Sequence, residues 1–413
     1  MVSLLADIKL LVNTRENSPV LRGAAMQHLP AIENAYLVID NDRIAEYGKM
    51  EDLGQPDLSR YNEIVHLPNS IVMPAWCDSH THMVFAGSRE NEFVDKIKGL
   101  SYAEVAARGG GILSTVKHIE AISEDDLFIA AWKRLGLLNS YGTGAIEIKS
   151  GYGLSVEGEL KMLRVIRRLK EKAGIPIKAT FLGAHTFPIA YRENHEGYID
   201  LIINEMLPVI AAEKLADFID VFCEYGFFSM EETERICRAG MQYGLKPKIH
   251  ANQLNLSGGT QVGVKVGAIS VDHLETMDEE TIDLLAASST IGTLLPTAAY
   301  FLRMPFQPAR RLIDKGCAVA LASDYNPGSS PSGNMNTVAS MSCIQMKMYP
   351  EEVVNAGTIN GAHAMELGDI VGSITVGKKA NLIVTKAVPS LSYLFYAFGD
   401  NHIDRVMLNG QWT

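Results

Sequence analysis

The stretch Ile71-Val-Met-Pro-Ala-Trp-Cys-Asp-Ser-His80-Thr-His82 decides how this chain is read: an apolar run ends in two histidines one residue apart. On a strand, alternate side chains face the same side, so His80 and His82 can grip one metal ion from the strand's end. Eleven histidines in 413 residues produce roughly 0.3 such pairs by chance, so the company of the pair decides the matter. Working outward, His250 closes Lys248-Ile249, His273 closes Ala268-Ile-Ser-Val-Asp-His, and Asp324 closes Cys317-Ala-Val-Ala-Leu-Ala-Ser-Asp.

Eight short apolar runs lie between Ile71 and Asp324: 71–78, 144–149, 177–184, 216–222, 246–250, 268–272, 290–295 and 317–323. They barely alternate, which marks parallel strands covered on both faces. Between them Leu127, Ala131, Leu135 and Leu138 repeat at helical spacing, as do Leu160, Leu163, Ile166 and Leu169. Ser123-x-x-Asp126, Ser229-x-x-Glu232 and Thr276-x-x-Glu279 read as helix starts. Eightfold strand–helix alternation predicts an α/β fold, a (β/α)8 TIM-type barrel.

The flanks read differently. Tyr36-Leu-Val-Ile-Asp-Asn-Asp-Arg-Ile-Ala-Glu-Tyr-Gly sets apolar runs around an Asn-Asp turn in hairpin style, and Gly372–Thr385 and Ile403–Gln411 read likewise. One small β-sandwich domain built from both termini (1–70 plus 367–413) is expected beside a catalytic barrel over 71–366.

Composition narrows the function. A net charge of -11 argues against a nucleic-acid or anionic-membrane surface, and an anionic substrate would need its own arginine. Five scattered cysteines with no C-x-x-C read as reduced and buried, which predicts a cytosolic protein. Neither a leader-like N-terminus nor an 18-residue apolar run is visible, so a soluble chain is expected. Met335, Met341, Met346 and Met348 read as core or interface packing. Gly109-Gly-Gly lacks the Lys-Ser/Thr of a phosphate loop.

In a barrel of this kind the carboxyl ends of all strands meet on one face, where active sites are built. His80 and His82 would come from strand 1, His250 from strand 5, His273 from strand 6 and Asp324 from strand 8. Imidazoles and one carboxylate suit zinc or iron better than magnesium, with a position left for water.

With these residues in place, the chain resembles the amidohydrolase superfamily, in its His-x-His, strand-5 His, strand-6 His and strand-8 Asp. More narrowly it resembles the imidazolonepropionase family. Matching segments include Val84-Phe-Ala-Gly-Ser-Arg89-Glu-Asn-Glu-Phe, Gly109-Gly-Gly-Ile-Leu-Ser-Thr, Lys149-Ser-Gly-Tyr152-Gly-Leu, Phe181-Leu-Gly-Ala-His185, His250-Ala-Asn-Gln253, Val271-Asp-His273-Leu-Glu and Ser323-Asp324-Tyr-Asn326-Pro-Gly328-Ser329-Ser-Pro. Lys-Ser-Gly-Tyr-Gly and Asp-Tyr-Asn-Pro-Gly-Ser are the most specific of them.

The resemblance implies metal-dependent hydrolysis of 4-imidazolone-5-propanoate to N-formimino-L-glutamate, a step of histidine breakdown, by a homodimer with one zinc or iron ion per subunit. Opening a cyclic amide needs a strong nucleophile at neutral pH, which metal-activated water supplies. The implied ligands are His80, His82, His250 and Asp324. Asp324 would accept the water's proton and His273 would steady the oxyanion. Arg89 offers a planar fork for the propanoate carboxylate, although a salt bridge to Glu90 or Glu92 is its ordinary alternative. Tyr152, His185, Gln253, Asn326, Gly328 and Ser329 would line the substrate, the last three through backbone amides of a Gly-rich loop.

Two absences refine this. The fourth run ends Val221-Phe-Cys-Glu224, without the lysine that bridges two metals in binuclear relatives, so one metal is expected. Lys149 reads instead as a buried partner of Glu147 or Glu224. Gln253 stands where related deaminases carry a proton-shuttling glutamate, which weighs against a deaminase. A catalytically silent barrel would usually lose ligands, and this chain keeps all five candidates.

Overall fold

Two sheets organise the protein in a computed structural model that describes residues 1–99 and 110–413; Gly109 therefore lies outside the described residues. The first sheet has eight parallel strands in chain order: Trp76–Asp78, Thr143–Lys149, Ile177–Ala184, Phe218–Cys223, Lys246–Ala251, Ser270–His273, Ile291–Leu294 and Val319–Leu321. The last strand returns to the first. The Asp324 amide donates to the His80 carbonyl at 3.0 Å and the His82 amide to the Tyr325 carbonyl at 2.9 Å, while Ser323 holds the Asp78 carboxylate from its amide and hydroxyl. A TIM-type barrel results, its strands buried on both faces as their continuous apolar runs require.

The helices between strands follow the expected stripes. Glu124–Ser140 buries Leu127, Ala131, Leu135 and Leu138, and Val156–Lys172 buries Leu160, Leu163, Ile166 and Leu169. Ser123 caps the first, and Ser229 with Glu232 forms a reciprocal capping box on Met230–Gln242. Thr276 does not cap. Asp278 accepts from the Thr281 amide and starts Glu279–Ala286 instead, because a carboxylate at the positive helix end is the stronger acceptor.

The second sheet is mixed and draws on both ends of the chain. Its order is Gln411–Trp412, Ile403–Leu408, Leu382–Thr385, Ile71–Pro74, Val2–Val12, Ala31–Asp40 and Arg43–Lys49, with Glu63–His66 also paired to Val2–Val12. The Asn41-Asp42 hairpin is present, Asn41 taking a left-handed φ of 54°. Asn409-Gly410 turns Ile403–Leu408 back in the same way. Gly372–Thr385 is no hairpin: only Leu382–Thr385 becomes a strand, antiparallel to Ile71–Pro74 and to Ile403–Leu408.

The run 71–78, expected as one barrel strand, is divided between the two sheets. Ile71–Pro74 pairs in the mixed sheet and Trp76–Asp78 in the barrel. Pro74 has no amide to extend a ladder, and at Ala75 the partner changes. Its amide donates to the Asn381 carbonyl at 2.9 Å, the next amide, Trp76, to Gly142 at 2.8 Å. Asn381 in turn donates from its side chain to Gly144 at 2.8 Å. The strand that delivers His80 and His82 is thus fastened to both sheets.

All five cysteines are free, and Met335, Met346 and Met348 pack in the core. Among the described residues no helix is long and apolar enough to cross a membrane.

Candidate active site

His80, His82, His250, His273 and Asp324 are all buried and meet at the carboxyl ends of strands 1, 5, 6 and 8. Ligand atoms of His80, His82 and His250 lie within 4.8 Å of one another, as do those of His80, His273 and Asp324. Asp324 Oδ1 is 3.6 Å from His80 Nε2 and 3.5 Å from His82 Nε2, and His82 Nε2 is 3.3 Å from His250 Nε2. Two of the strand-end residues are bent to aim there: His273 has φ 91° and Asp324 φ 51°, unfavourable for side-chain-bearing residues and typical of functional positions.

The orientation of the rings is set from behind. His80 Nδ1 lies 2.7 Å from Asp272 Oδ2 and His250 Nδ1 lies 2.9 Å from Asp220 Oδ2. With Nδ1–H donated to Asp272, His80 presents its Nε2 lone pair to the cluster, whereas His250 Nδ1 faces Asp220 at close range without hydrogen-bond geometry. His80 Nε2 finds no hydrogen-bond partner among the described residues. Burial, aided by the Lys149 charge and neighbouring imidazoles, holds His80 and His82 well below the usual histidine range. Lone pairs that converge on a carboxylate oxygen without protons between them repel, so the donor set fits a cation.

His273 differs. Burial works against its charge, yet Glu275 and then Asp324 win and raise it above the usual range; Glu275 Oε1 stands 3.4 Å from its Nδ1 and is itself held by Gln307 at 3.0 Å. Burial pushes the Asp324 carboxyl up to about 7, partly countered by His273.

A second set surrounds the cluster. His185 stacks on His82 with centroids 5.2 Å apart, and Tyr152 lies 5.9 Å from His82 and 5.5 Å from His185. His185 Nδ1 bonds the Gly151 carbonyl at 3.0 Å, and burial drives its pKa down to about 3. Gln253 is buried just beyond strand 5. Arg89 donates from Nε and Nη2 to Glu92 Oε2 at 2.9 and 2.6 Å. It also lies against Gly328, where a Cβ would come within 2.2 Å of Nη1.

The Asn326–Ser329 loop is differently used than its glycine suggests. Asn326 Oδ1 accepts from the amides of Gly328 and Ser329, both at 2.8 Å. Those amides, which the sequence reading offered to an anion, are already satisfied. Ser329 Oγ instead reaches Asp324 Oδ2 at 3.4 Å. Lys149 is a buried ion-pair partner as expected, of Glu147 at 2.5 Å and Asp220 at 2.8 Å. Glu224 is not involved: it accepts from the Leu254 and Asn255 amides.

Sequence reasoning missed Asp220, Asp272, Glu159 and Glu275. A carboxylate inside an otherwise apolar strand must have a partner, and that signal was available for Asp220 and Asp272. Glu159 accepts the amides of Gly151, Gly153 and Leu154 at 3.0, 2.7 and 3.0 Å and so shapes the loop that carries Tyr152.

Barrel and histidine cluster define the class of protein. Residues 163–413 match the amidohydrolase family. An adenosine deaminase from Xanthomonas campestris, solved with bound zinc, has the same fold at a TM-score of 0.71 and 17% identity, covering 99% of this chain and 92% of that one. Over 412 residues, covering 100% of both proteins, the chain is 55% identical to the imidazolonepropionase of Flavobacterium johnsoniae and 51% identical to that of Christiangramia forsetii. The chain belongs to the imidazolonepropionase family, amidohydrolases that cleave a cyclic amide.

Proposed function

We propose that the protein hydrolyses 4-imidazolone-5-propanoate to N-formimino-L-glutamate. The observation that carries this reading is the buried cluster of His80, His82, His250 and Asp324 in a chain with full-length imidazolonepropionase relatives. These four residues would hold one zinc or iron ion. When bound, such an ion supplies a hydrolytic nucleophile at neutral pH by acidifying water.

The chain's own groups do the rest. Asp324 accepts the proton of the attacking water, and Ser329 steadies its second oxygen. His273, fixed by Glu275, donates to the carbonyl oxygen as negative charge develops there. The ring C–N bond then breaks and the departing nitrogen takes the proton. Arg89 pairs with the propanoate carboxylate while Glu92 holds its fork. Tyr152, His185 and Gln253 flank the ring, and the Asn326–Ser329 loop closes that side. We further propose a cytosolic homodimer, on the strength of the family resemblance and the free cysteines, with a composite β domain (1–70 plus 367–413, to which Ile71–Pro74 adds a strand) beside the catalytic one that fills the rest of 71–366.

Incubation with imidazolonepropanoate should consume its ultraviolet absorbance. The same protein should release no ammonia from a panel of aminopurines and cytosine. Ammonia from the panel alone would replace this reading by deamination.

A further inference from the structure

Below the histidine cluster the barrel encloses a set of charges that reaches no solvent. Lys149 and Lys248 stand among Glu147, Asp220 and Asp272, every side chain 0% exposed. Lys149 Nζ lies 2.5 Å from Glu147 Oε1, 2.8 Å from Asp220 Oδ2 and 3.7 Å from Asp272 Oδ2. Lys248 Nζ contacts Glu147 Oε2, lies 3.8 Å from Asp272 Oδ2 and donates to the Ser79 carbonyl at 2.9 Å. Ion pairs so deep are costly to desolvate and are no net source of stability compared with apolar packing. Their placement has another use.

Asp220 and Asp272 are the carboxylates behind His250 and His80. Lys149 is the one cation among the described residues paired with both. We propose that Lys149 is a positioning residue for the metal centre: by fixing Asp220 and Asp272 together it holds His80 and His250 in the Nδ1–H form, with both Nε2 atoms aimed at one ion. This rests on the reading that these histidines hold a metal. Without the ammonium between them, the two buried carboxylates would repel and turn apart. That movement frees an imidazole to rotate, and loss of such an outer partner typically weakens metal affinity about 10- to 100-fold.

The test compares wild type with Lys149→Met, both stripped by chelator and refilled with cobalt(II). Near-ultraviolet circular dichroism first establishes that the variant is folded. Cobalt affinity, measured by chelator competition, should fall about 10- to 100-fold, and the visible d–d bands should shift. A folded variant with wild-type affinity and spectrum would overturn the role of Lys149 while leaving the metal site in place. Absence of cobalt binding by wild type would instead remove the metal reading, and this inference with it. Should Lys149→Met fail to fold, nitrogen-15 spectra of histidine in metal-free wild type decide. Nδ1–H imidazoles at His80 and His250 support the proposal, and an Nε2–H form at either overturns it.

Discussion

Arg89 passes so close to Gly328 that any side chain there would collide with its guanidinium, a Cβ lying 2.2 Å from Nη1 and 2.9 Å from Cζ. Gly328 does not need the left-handed conformations that glycine permits, and its amide is taken by Asn326. Its missing side chain is what the site uses. Gly328→Ala should therefore displace Arg89 and raise KM for imidazolonepropanoate about tenfold with kcat less affected, as expected when a binding contact weakens. Arg89→Ala should lower kcat/KM by about 30- to 1000-fold, equivalent to roughly 2–4 kcal/mol for a desolvated charge-assisted pair. Steady-state kinetics check both, and an unchanged kcat/KM in Arg89→Ala removes that residue from the site.

Asp324 joins two of the proposed roles, ligand and proton acceptor. Asp324→Ala should cut kcat by at least about 10²–10⁴-fold, the usual worth of a positioned base. In parallel, chelator treatment of wild type should abolish turnover, and zinc or iron should restore it. Activity surviving in the variant would show that another group takes the proton.

Glu159 makes a structural prediction with a catalytic readout. Its carboxylate gathers three backbone amides around Tyr152, each costing about 1–3 kcal/mol if left buried and unpaired. Glu159→Ala should lower stability by about 2–4 kcal/mol and raise KM as the Tyr152 loop loosens. Urea denaturation alongside kinetics separates the two effects; wild-type values in both would mean that the loop keeps its shape unaided.

Lys378 gives a pH dependence. Burial lowers its pKa from 10.5 to about 8, although its ammonium donates to Ser373 and to the Val371 carbonyl. Between these values the unfolded chain binds the proton that the folded chain has released, so stability rises with pH across this window. The gain is at most roughly 3 kcal/mol. Melting temperatures from pH 7.5 to 10 should show this rise in wild type relative to Lys378→Met, and parallel curves for the two proteins would contradict it.

Much of the architecture was legible because parallel strands buried on both faces are written as unbroken apolar runs, and because convergent strand ends make the histidines and Asp324 neighbours by topology. Arg89 and Glu92 were visible as a pair of opposite charges. What escaped was anything set by three-dimensional contact between polar groups. Asp220, set inside an apolar strand, was marked as needing a partner, but nothing local says that the partner is His250. The amides of Gly328 and Ser329 looked free because glycine signals conformational freedom, whereas Asn326, two residues earlier, had already engaged them. The division of 71–78 was hidden because an apolar run carries no mark of which partner pairs with it, and only Pro74 hinted at a break.

That division bears on how the enzyme is made. During synthesis the His80–His82 pair leaves the ribosome some three hundred residues before Asn381, whose carbonyl receives the Ala75 amide and whose side chain braces Gly144. The barrel holds the first strand through Thr143–Lys149 and Tyr325, but the brace from the mixed sheet is complete only once Leu382–Thr385 has joined Ile71–Pro74. A nascent chain thus carries the histidines long before the last brace behind them exists.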